Sequence, residues 1–270
     1  MADIQQVHSQ LKADILKTTI GSIIFYAFLF LVFYLLERFI PALSGRLILW
    51  DQLVYYVGLF GSIIGVIYIL LIRNPHNYLG YIFGIGMSLC LAMQFFLQGH
   101  YDLVLMYFII FIPIQIKTFF AWKKNLLDSL EGGQSEMHPA FINFKSLLIT
   151  LLVCLMIWLG DYALLSWLAH ESFLDNMLLK LLSSFMIASS CLANYWLMYQ
   201  KNDAWIFWVL FCVVGTIFNI LIGSYFTSVF FFVSTLANVD AMLAWLRITR
   251  PEDKGWTKFR YSIRPVKNKR

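Results

Sequence analysis

From Trp205 to Trp245 the chain reads WIFWVLFCVVGTIFNILIGSYFTSVFFFVSTLANVDAMLAW, and this stretch decides the fold class. From Ala204 to Val239 it contains no charged residue over 36 consecutive positions. A helix needs about 20 apolar residues to cross a bilayer, so the run predicts two membrane-spanning helices joined by a tight turn. We place that turn at Gly223 and Ser224, because such residues interrupt regular structure.

A second stretch earlier in the chain has the same layout. From Tyr81 to Trp122 it reads YIFGIGMSLCLAMQFFLQGHYDLVLMYFIIFIPIQIKTFFAW. Three motifs correspond, the last after a one-residue gap: Ile82-Phe83 with Ile206-Phe207, Leu97-x-Gly99-x-Tyr101 with Leu221-x-Gly223-x-Tyr225, and Ala121-Trp122 with Ala244-Trp245. Self-similarity at a fixed offset predicts an internal structural repeat.

Composition places the whole chain in the membrane class. Of its 270 residues 60% are hydrophobic and 13% are charged, whereas soluble domains carry about 25% charged residues. The four cysteines fall singly inside apolar runs, which indicates small buried residues and not disulfides or a metal cluster. The sequence therefore predicts an all-α polytopic membrane protein with no cofactor and no metal site.

Eight apolar runs are long enough to span a bilayer. Their predicted limits are 19–37, 53–72, 79–97, 103–122, 146–169, 181–199, 204–222 and 225–246. Lysine and arginine in the connecting segments predict the orientation, because cytoplasmic loops are enriched in them. With the amino terminus inside, sixteen fall on the cytoplasmic side and three outside. Both termini are therefore predicted to be cytoplasmic.

The repeat then predicts an architecture. Helices 2–4 correspond to helices 6–8, four spans apart, so both triplets cross the membrane in the same direction and helix 5 inverts the chain between them. Parallel triplets of this kind occur in SWEET-type carriers, with the substrate near the midplane between repeats. The predicted segments are an amino terminus with an extra helix, the first repeat, a loop with the linker helix, the second repeat and a basic tail: 1–49, 50–125, 126–176, 177–250 and 251–270.

Polar side chains inside the spans are the candidate binding residues, because polar groups in hydrocarbon need a partner or a cavity. On helix 7, Trp205, Trp208 and Asn219 share a face with Cys212 and Gly215. The predicted substrate-binding set is Trp205, Trp208, Asn219, Asn194, Gln94, Gln98, Gln115, Asn238 and Tyr101. For the amides, hydrogen bonding between helices is an equally good interpretation.

Two further interpretations concern the cytoplasmic ends of the spans. Trp122 and Trp245 are predicted to belong to the interfacial aromatic belt. Lys117 and Asp240 occupy equivalent repeat positions, so they either pair across the repeats or Lys117 extends to the membrane surface.

The segments NYLGYIFG, FFLQGHY, FIPIQIKTFFAWKKN, NDAWIFWVLF and GSYFTSVFFF, followed by AWLRI, resemble the PnuC family of bacterial vitamin transporters. The likeness covers about residues 50–250. Its most specific element is Trp205-x-x-Trp208 at the start of helix 7, together with Ala-Trp and basic residues closing each triplet. Where many relatives have Asn, this chain has Ala204, and where many have Gly-Trp it has Thr118-Phe119.

The resemblance implies import of nicotinamide riboside, an NAD precursor, across the bacterial inner membrane. It implies facilitated diffusion, trapping by a cytoplasmic riboside kinase, and a homotrimer. Thiamine or another vitamin is the alternative substrate. An intramembrane enzyme is the competing class, but all five histidines fall in loops or tails and form no assembled catalytic set. A receptor without transport activity is a third class, and it predicts no convergent polar cavity.

Overall fold

The computed structural model describes residues 2–40, 52–74, 77–131, 139–168 and 176–249. In these ranges eight helices are long and apolar enough to cross a membrane, which confirms the predicted number of spans. They are α1 (Ala2–Phe39), α2 (Leu53–Ile72), α3 (Gly80–Leu97), α4 (Tyr101–Leu105, π-helical Met106–Phe111 and Ile112–Glu131), α5 (Phe144–Leu168), α6 (Met177–Met198), α7 (Asp203–Leu221) and α8 (Tyr225–Ile248). The predicted tail 251–270 lies outside the described residues.

Two helices extend well beyond their predicted limits. Helix α1 begins at Ala2, not near residue 19, and α4 continues to Glu131, not to 122. The prediction followed hydrophobicity alone. The polar residues that extend these two helices, 2–18 and 123–131, include no proline and no glycine. Nothing in their sequence therefore stops the helix at the edge of the apolar run.

Six helices form a closed ring. Neighbours around it are α2, α3, α4, α6, α7 and α8, and α8 packs back against α2. Helix α1 packs on α2 and helix α5 packs on α6, both outside the ring. Only 11% of the apolar window of each outer helix is buried. We call the end of the bundle predicted to face the cytoplasm the inner end, and the opposite end the outer end.

The two predicted outer turns have the same backbone geometry. Gly99 has φ 80° and Gly223 has φ 76°, the left-handed conformation that favours glycine. In each turn the next residue donates its N–H five residues back, from His100 to the Phe95 carbonyl at 2.9 Å and from Ser224 to the Asn219 carbonyl at 2.8 Å. This is a Schellman cap, and it confirms the predicted positions of both turns.

Close approach of α2 to its neighbours depends on Gly65. A Cβ placed there would lie 2.4 Å from the Phe230 ring of α8 and 2.9 Å from Met87 Sδ of α3. Small residues permit such contacts between membrane helices.

Gly65→Leu is therefore expected to destabilise the bundle by about 1–3 kcal/mol, the usual range for overpacking. A lowered thermal midpoint of the purified protein in detergent would show it. The matched control is Gly160→Leu on α5, where nothing lies within 4 Å of the added Cβ. Equal midpoints for the two variants would contradict the packing argument.

Candidate functional site

A narrow cavity lies inside the six-helix ring. It has a volume of about 10 Å³, roughly room for one water molecule. Its walls come from α2, α3, α4, α7 and α8: Tyr68, Ile69, Ile72, Met87, Leu91, Tyr107, Trp208, Phe211, Cys212, Phe230 and Asn238. Among the described residues, those that line it include no Lys, Arg, Asp or Glu. A ligand larger than water enters only if these side chains or helices move apart.

Aromatic rings dominate the cavity wall. Trp208 packs edge-on against Phe111 at 5.7 Å and against Phe211 at 5.3 Å, and Tyr107 packs edge-on against Phe111 at 4.8 Å. Tyr107 and Phe111 both belong to the π-helical part of α4. A π-helical turn re-aims side chains and is frequent at functional sites. Here both rings are fully buried inside the ring of helices.

Several buried polar atoms around this cavity have no hydrogen-bond partner in the described part of the chain. On the cavity wall they are Trp208 Nε1 and the Tyr68 and Tyr107 hydroxyls. Beyond the wall, Gln115 Nε2 lies near the Tyr68 ring, and Asn219 Oδ1 lies about two turns from Cys212 along α7. Leaving a buried donor or acceptor unpaired costs about 1–3 kcal/mol. Polar atoms left open around one cavity are typical of a binding site, since a ligand or water can pair with them.

The amides of Gln115 and Asn219 are each half satisfied. Gln115 Oε1 accepts a hydrogen bond from Ser88 Oγ at 3.2 Å, and Asn219 Nδ2 donates to the Gly215 carbonyl at 2.8 Å. Gln115 lies beside Tyr68, because a Cβ on Gly84 would be 3.1 Å from Gln115 Nε2 and 2.9 Å from the Tyr68 ring. Each amide thus keeps one polar atom open.

Two other amides have a paired Nδ2 group. Asn194 Nδ2 donates to the Ser190 carbonyl of its own helix at 3.0 Å, and Asn238 Nδ2 donates across to Cys212 Sγ at 3.3 Å. Asn238 also lines the cavity. Asn238 thus contacts a neighbouring helix and also lines the cavity, whereas the hydrogen bond of Asn194 stays within its own helix. The binding role predicted for both amides stays a prediction.

Gln94 and Gln98 lie apart from the central cavity, at the outer end of α3. Thr227 donates to Gln94 Oε1 at 3.0 Å, and Gln98 Nε2 donates to Ser224 Oγ. These contacts join α3 to the α7–α8 turn and to the start of α8. The side chains involved line a separate outer cavity of about 260 Å³. Tyr101 is 61% exposed and packs on Phe96, so the structure does not bring it together with the other predicted residues.

Four aromatic residues form a buried cluster toward the inner end. Tyr81 packs edge-on against Trp122 at 5.1 Å and 84°, and Trp205 packs edge-on against Trp245 at 5.2 Å and 86°. Trp122 and Trp245 lie 5.9 Å apart and connect the two pairs. The belt prediction for Trp122 and Trp245 is wrong, because both indoles are fully buried against other rings and face no lipid.

The interpretation that Lys117 pairs with Asp240 is also wrong. Asp240 forms an ion pair at 2.8 Å with Arg73, the residue that follows α2, and Trp245 Nε1 donates to the Arg73 carbonyl at 3.0 Å. Lys117 is exposed on the outside of α4. The loop after α2 approaches the inner end of α8 more closely than α4 does, and the sequence has no signal for that proximity.

Sequence reasoning missed Tyr68 and Tyr107. A usable signal existed for Tyr107, because Tyr107, Phe111 and Gln115 recur every four residues and share a helix face. Tyr68 has no polar neighbour at helical spacing on α2, so only the packing of α2 against α3 identifies it.

Comparison with known proteins places this arrangement in a family. A family model described as nicotinamide mononucleotide transporter matches residues 55–247, more than half of the 270 residues. The chain belongs to this transporter family, the PnuC family. The match covers the whole helix ring, including the central cavity and the inner aromatic cluster.

A solved structure has the same fold. The crystal structure of the vitamin B3 transporter PnuC aligns with a TM-score of 0.54 and 15% sequence identity, covering 83% of this chain and 91% of that one. No curated protein matches the chain in sequence. The family and the fold together identify a multi-pass membrane transporter for a vitamin-type small molecule.

Proposed function

We propose that this transporter imports nicotinamide riboside, an NAD precursor, by facilitated diffusion. A passive carrier only equilibrates its substrate, so net uptake then requires a cytoplasmic kinase that phosphorylates the riboside and traps it. In this proposal the protein is a homotrimer in the bacterial inner membrane with both termini in the cytoplasm.

The central cavity is the observation that carries the proposal. Nicotinamide riboside combines a flat cationic ring with a carboxamide and ribose hydroxyls. The rings of Trp208, Tyr107 and Phe211 line the cavity, and a cation–π contact with one of them would contribute about 0.5–2 kcal/mol. Trp208 Nε1 and the Tyr68 and Tyr107 hydroxyls on the cavity wall are open for hydrogen bonds to the carboxamide or the ribose hydroxyls. In this proposal the predicted amides Gln115 and Asn219 contact the substrate once the helices move apart. The PnuC crystal structure with the same fold is described as a vitamin B3 transporter.

Parallel repeats, as in SWEET-type carriers, are part of the proposal. Three observations support them. The outer turns share one cap geometry, the Tyr81–Trp122 and Trp205–Trp245 pairs share one ring geometry, and the triplets meet through equivalent helices, α2 with α8 and α6 with α4. With the repeats related in this way, the central cavity lies at their junction, where such carriers bind substrate.

The passive mechanism rests on the chemistry of the cavity wall. Among the described lining residues there is no carboxylate that could exchange a coupling proton or sodium ion. Thiamine is the second candidate substrate, because it also carries a flat cationic ring and would use the same aromatic wall.

Trp208→Ala is expected to weaken binding of nicotinamide riboside by about 1–3 kcal/mol, the usual loss when an aromatic stacking partner is removed. Titration calorimetry on the purified, monodisperse variant measures this loss. Trp205→Ala, Asn219→Leu and Gln115→Leu test the neighbouring positions in the same assay. Liposomes containing only this protein should equilibrate labelled riboside.

Two matched controls make the calorimetry decisive. Trp208→Phe keeps a ring in the wall and should retain most of the affinity. Trp167→Ala removes an indole that is 71% exposed on α5, and it should bind like the parent. If Trp208→Ala and Trp205→Ala both bind like the parent, the ring of the substrate lies elsewhere.

A further inference from the structure

The outer cavity, lined in part by Gln94 and Gln98, lies between the ends of three ring helices. Gln52 directly precedes α2, Gln98 directly follows α3 and Ser224 directly precedes α8, and all three line it. Its mouth is therefore at the outer end of the bundle, where Gln52 is exposed. The volume of about 260 Å³ is close to the lower end of the range for small-molecule sites, about 300–1,000 Å³.

The polar groups of this cavity are amides and hydroxyls. Among the described residues that line it, none carries a charge. Gln94 Nε2 donates to Gln98 Oε1 and to Ser224 Oγ, both at 3.5 Å, which is longer than the usual distance of about 2.7–3.2 Å. The Tyr55 side chain is 8% exposed, and its hydroxyl has no hydrogen-bond partner in the described part of the chain. The cavity thus offers a weakly used donor and an unused hydroxyl.

Such a lining is complementary to a neutral group that carries several hydroxyls. A hydroxyl both donates and accepts, so it can accept from Gln94 Nε2 and donate to Tyr55 Oη. A phosphate would find no cation among the described lining residues and would lose its hydration without compensation. The ribose of a nucleoside belongs to the class that fits, and its phosphate ester does not.

One helical turn separates this cavity from the central cavity. On α3, Gln94 lines the outer cavity and Leu91 the central one. On α8, Thr227 and Phe230 are divided in the same way, and three residues along a helix correspond to about 4.5 Å. Thr227 donates to Gln94 Oε1 at 3.0 Å, and a Cβ on Gly58 of α2 would lie 2.7 Å from that oxygen. Helices α2, α3 and α8 therefore meet at this hydrogen bond, between the two cavities.

We propose that the outer cavity is an entry subsite, which binds the sugar end of the transported molecule before that molecule reaches the central cavity. The inference rests on the proposed function, because it takes the transported molecule to be a riboside. A ribose hydroxyl that donates to Gln94 Oε1 replaces Thr227 in the hydrogen bond between α3 and α8. Binding then weakens the contact that separates the two cavities. A free base offers fewer such groups, so the subsite favours nucleosides.

Protection of an introduced cysteine from a charged thiol reagent tests the subsite. Gln52→Cys places the thiol at the mouth, where the native side chain makes no capping hydrogen bond. Nicotinamide riboside at ten times its dissociation constant for the subsite is expected to slow labelling of the purified protein about tenfold, and D-ribose alone should do so at higher concentration. No slowing at any soluble concentration of either ligand overturns the proposal. Equal protection by nicotinamide overturns the assignment to the sugar.

Two controls accompany the labelling. The parent protein gives the background from its four native cysteines. The matched variant is Met177→Cys at the outer end of α6, where the native side chain is 44% exposed and does not line the outer cavity. Neither ligand should change its labelling rate.

Further variants separate the subsite from the central cavity. Adding Tyr55→Phe or Gln94→Leu to Gln52→Cys should raise the half-protecting concentration about fivefold, the effect of one lost hydrogen bond. Tyr55→Phe keeps its ring and serves if Gln94→Leu does not fold, and unchanged protection in the folded variants overturns the proposal. Adding Trp208→Ala, which weakens the central site, should leave the protection unchanged. Loss of protection in that folded variant assigns the effect to the central cavity and also overturns the proposal.

Two outcomes distinguish the subsite from the transport proposal. If liposomes equilibrate the riboside but neither ligand protects Gln52→Cys, the transport proposal stands and the subsite is wrong. If the riboside is not transported but D-ribose protects Gln52→Cys, the transport proposal is wrong and the sugar-binding site stands.

Discussion

Nicotinamide mononucleotide is expected to bind this protein at least about a hundredfold more weakly than nicotinamide riboside. The two ligands differ by one phosphate. The described residues that line the central cavity include no lysine or arginine to receive it. Burying an unpaired charge costs about 3–5 kcal/mol, which corresponds to more than a hundredfold in affinity. The matching family model is described as a nicotinamide mononucleotide transporter, whereas we expect this chain to prefer the riboside.

Titration calorimetry with both ligands under identical salt measures the difference. Nicotinamide alone should bind more weakly than the riboside, since it lacks the cationic ring nitrogen and the sugar. Inorganic phosphate should not compete with the riboside. Equal affinity for riboside and mononucleotide would refute this account of the cavity, because it would require a cation near the bound phosphate.

Trp122→Ala is expected to destabilise the protein by about 3 kcal/mol, the lower end of the range for buried Trp→Ala changes. The lower end applies because lipid also solvates apolar surface in the unfolded state, so the loss is mainly one of packing contacts. Trp122 packs against Tyr81 and Trp245, and removing it opens a gap between the two triplets.

Unfolding in mixed micelles with increasing sodium dodecyl sulfate measures this loss. Trp122→Phe should recover about half of it by retaining a ring. Trp167→Ala, at a lipid-facing position, should change stability by less than about 0.5 kcal/mol. If Trp122→Ala is as stable as Trp167→Ala, the indole contributes no packing between the triplets, and the inner cluster does not hold them together.

The sequence by itself determined the membrane class, the number of spans and the positions of the two outer turns. Each follows from a local property: the length of an uncharged run, or a glycine that adopts a positive φ at Gly99 and Gly223. Helical spacing placed Trp205, Trp208 and Asn219 on one face of helix 7, and all three side chains are buried. Periodicity is a property of one helix, so it can be read without the neighbouring helices.

Only the tertiary structure decided which helix each face meets. A tryptophan at the inner end of a span is compatible with both a lipid interface and a protein interior, and Trp122 is buried because Trp245 of the other triplet covers it. In the same way, Asp240 pairs with Arg73 and not with Lys117, and Tyr68 meets Gln115 inside the ring. These contacts depend on how helices distant in sequence are placed around the ring. Hydrophobicity and spacing within one helix carry no information about that placement.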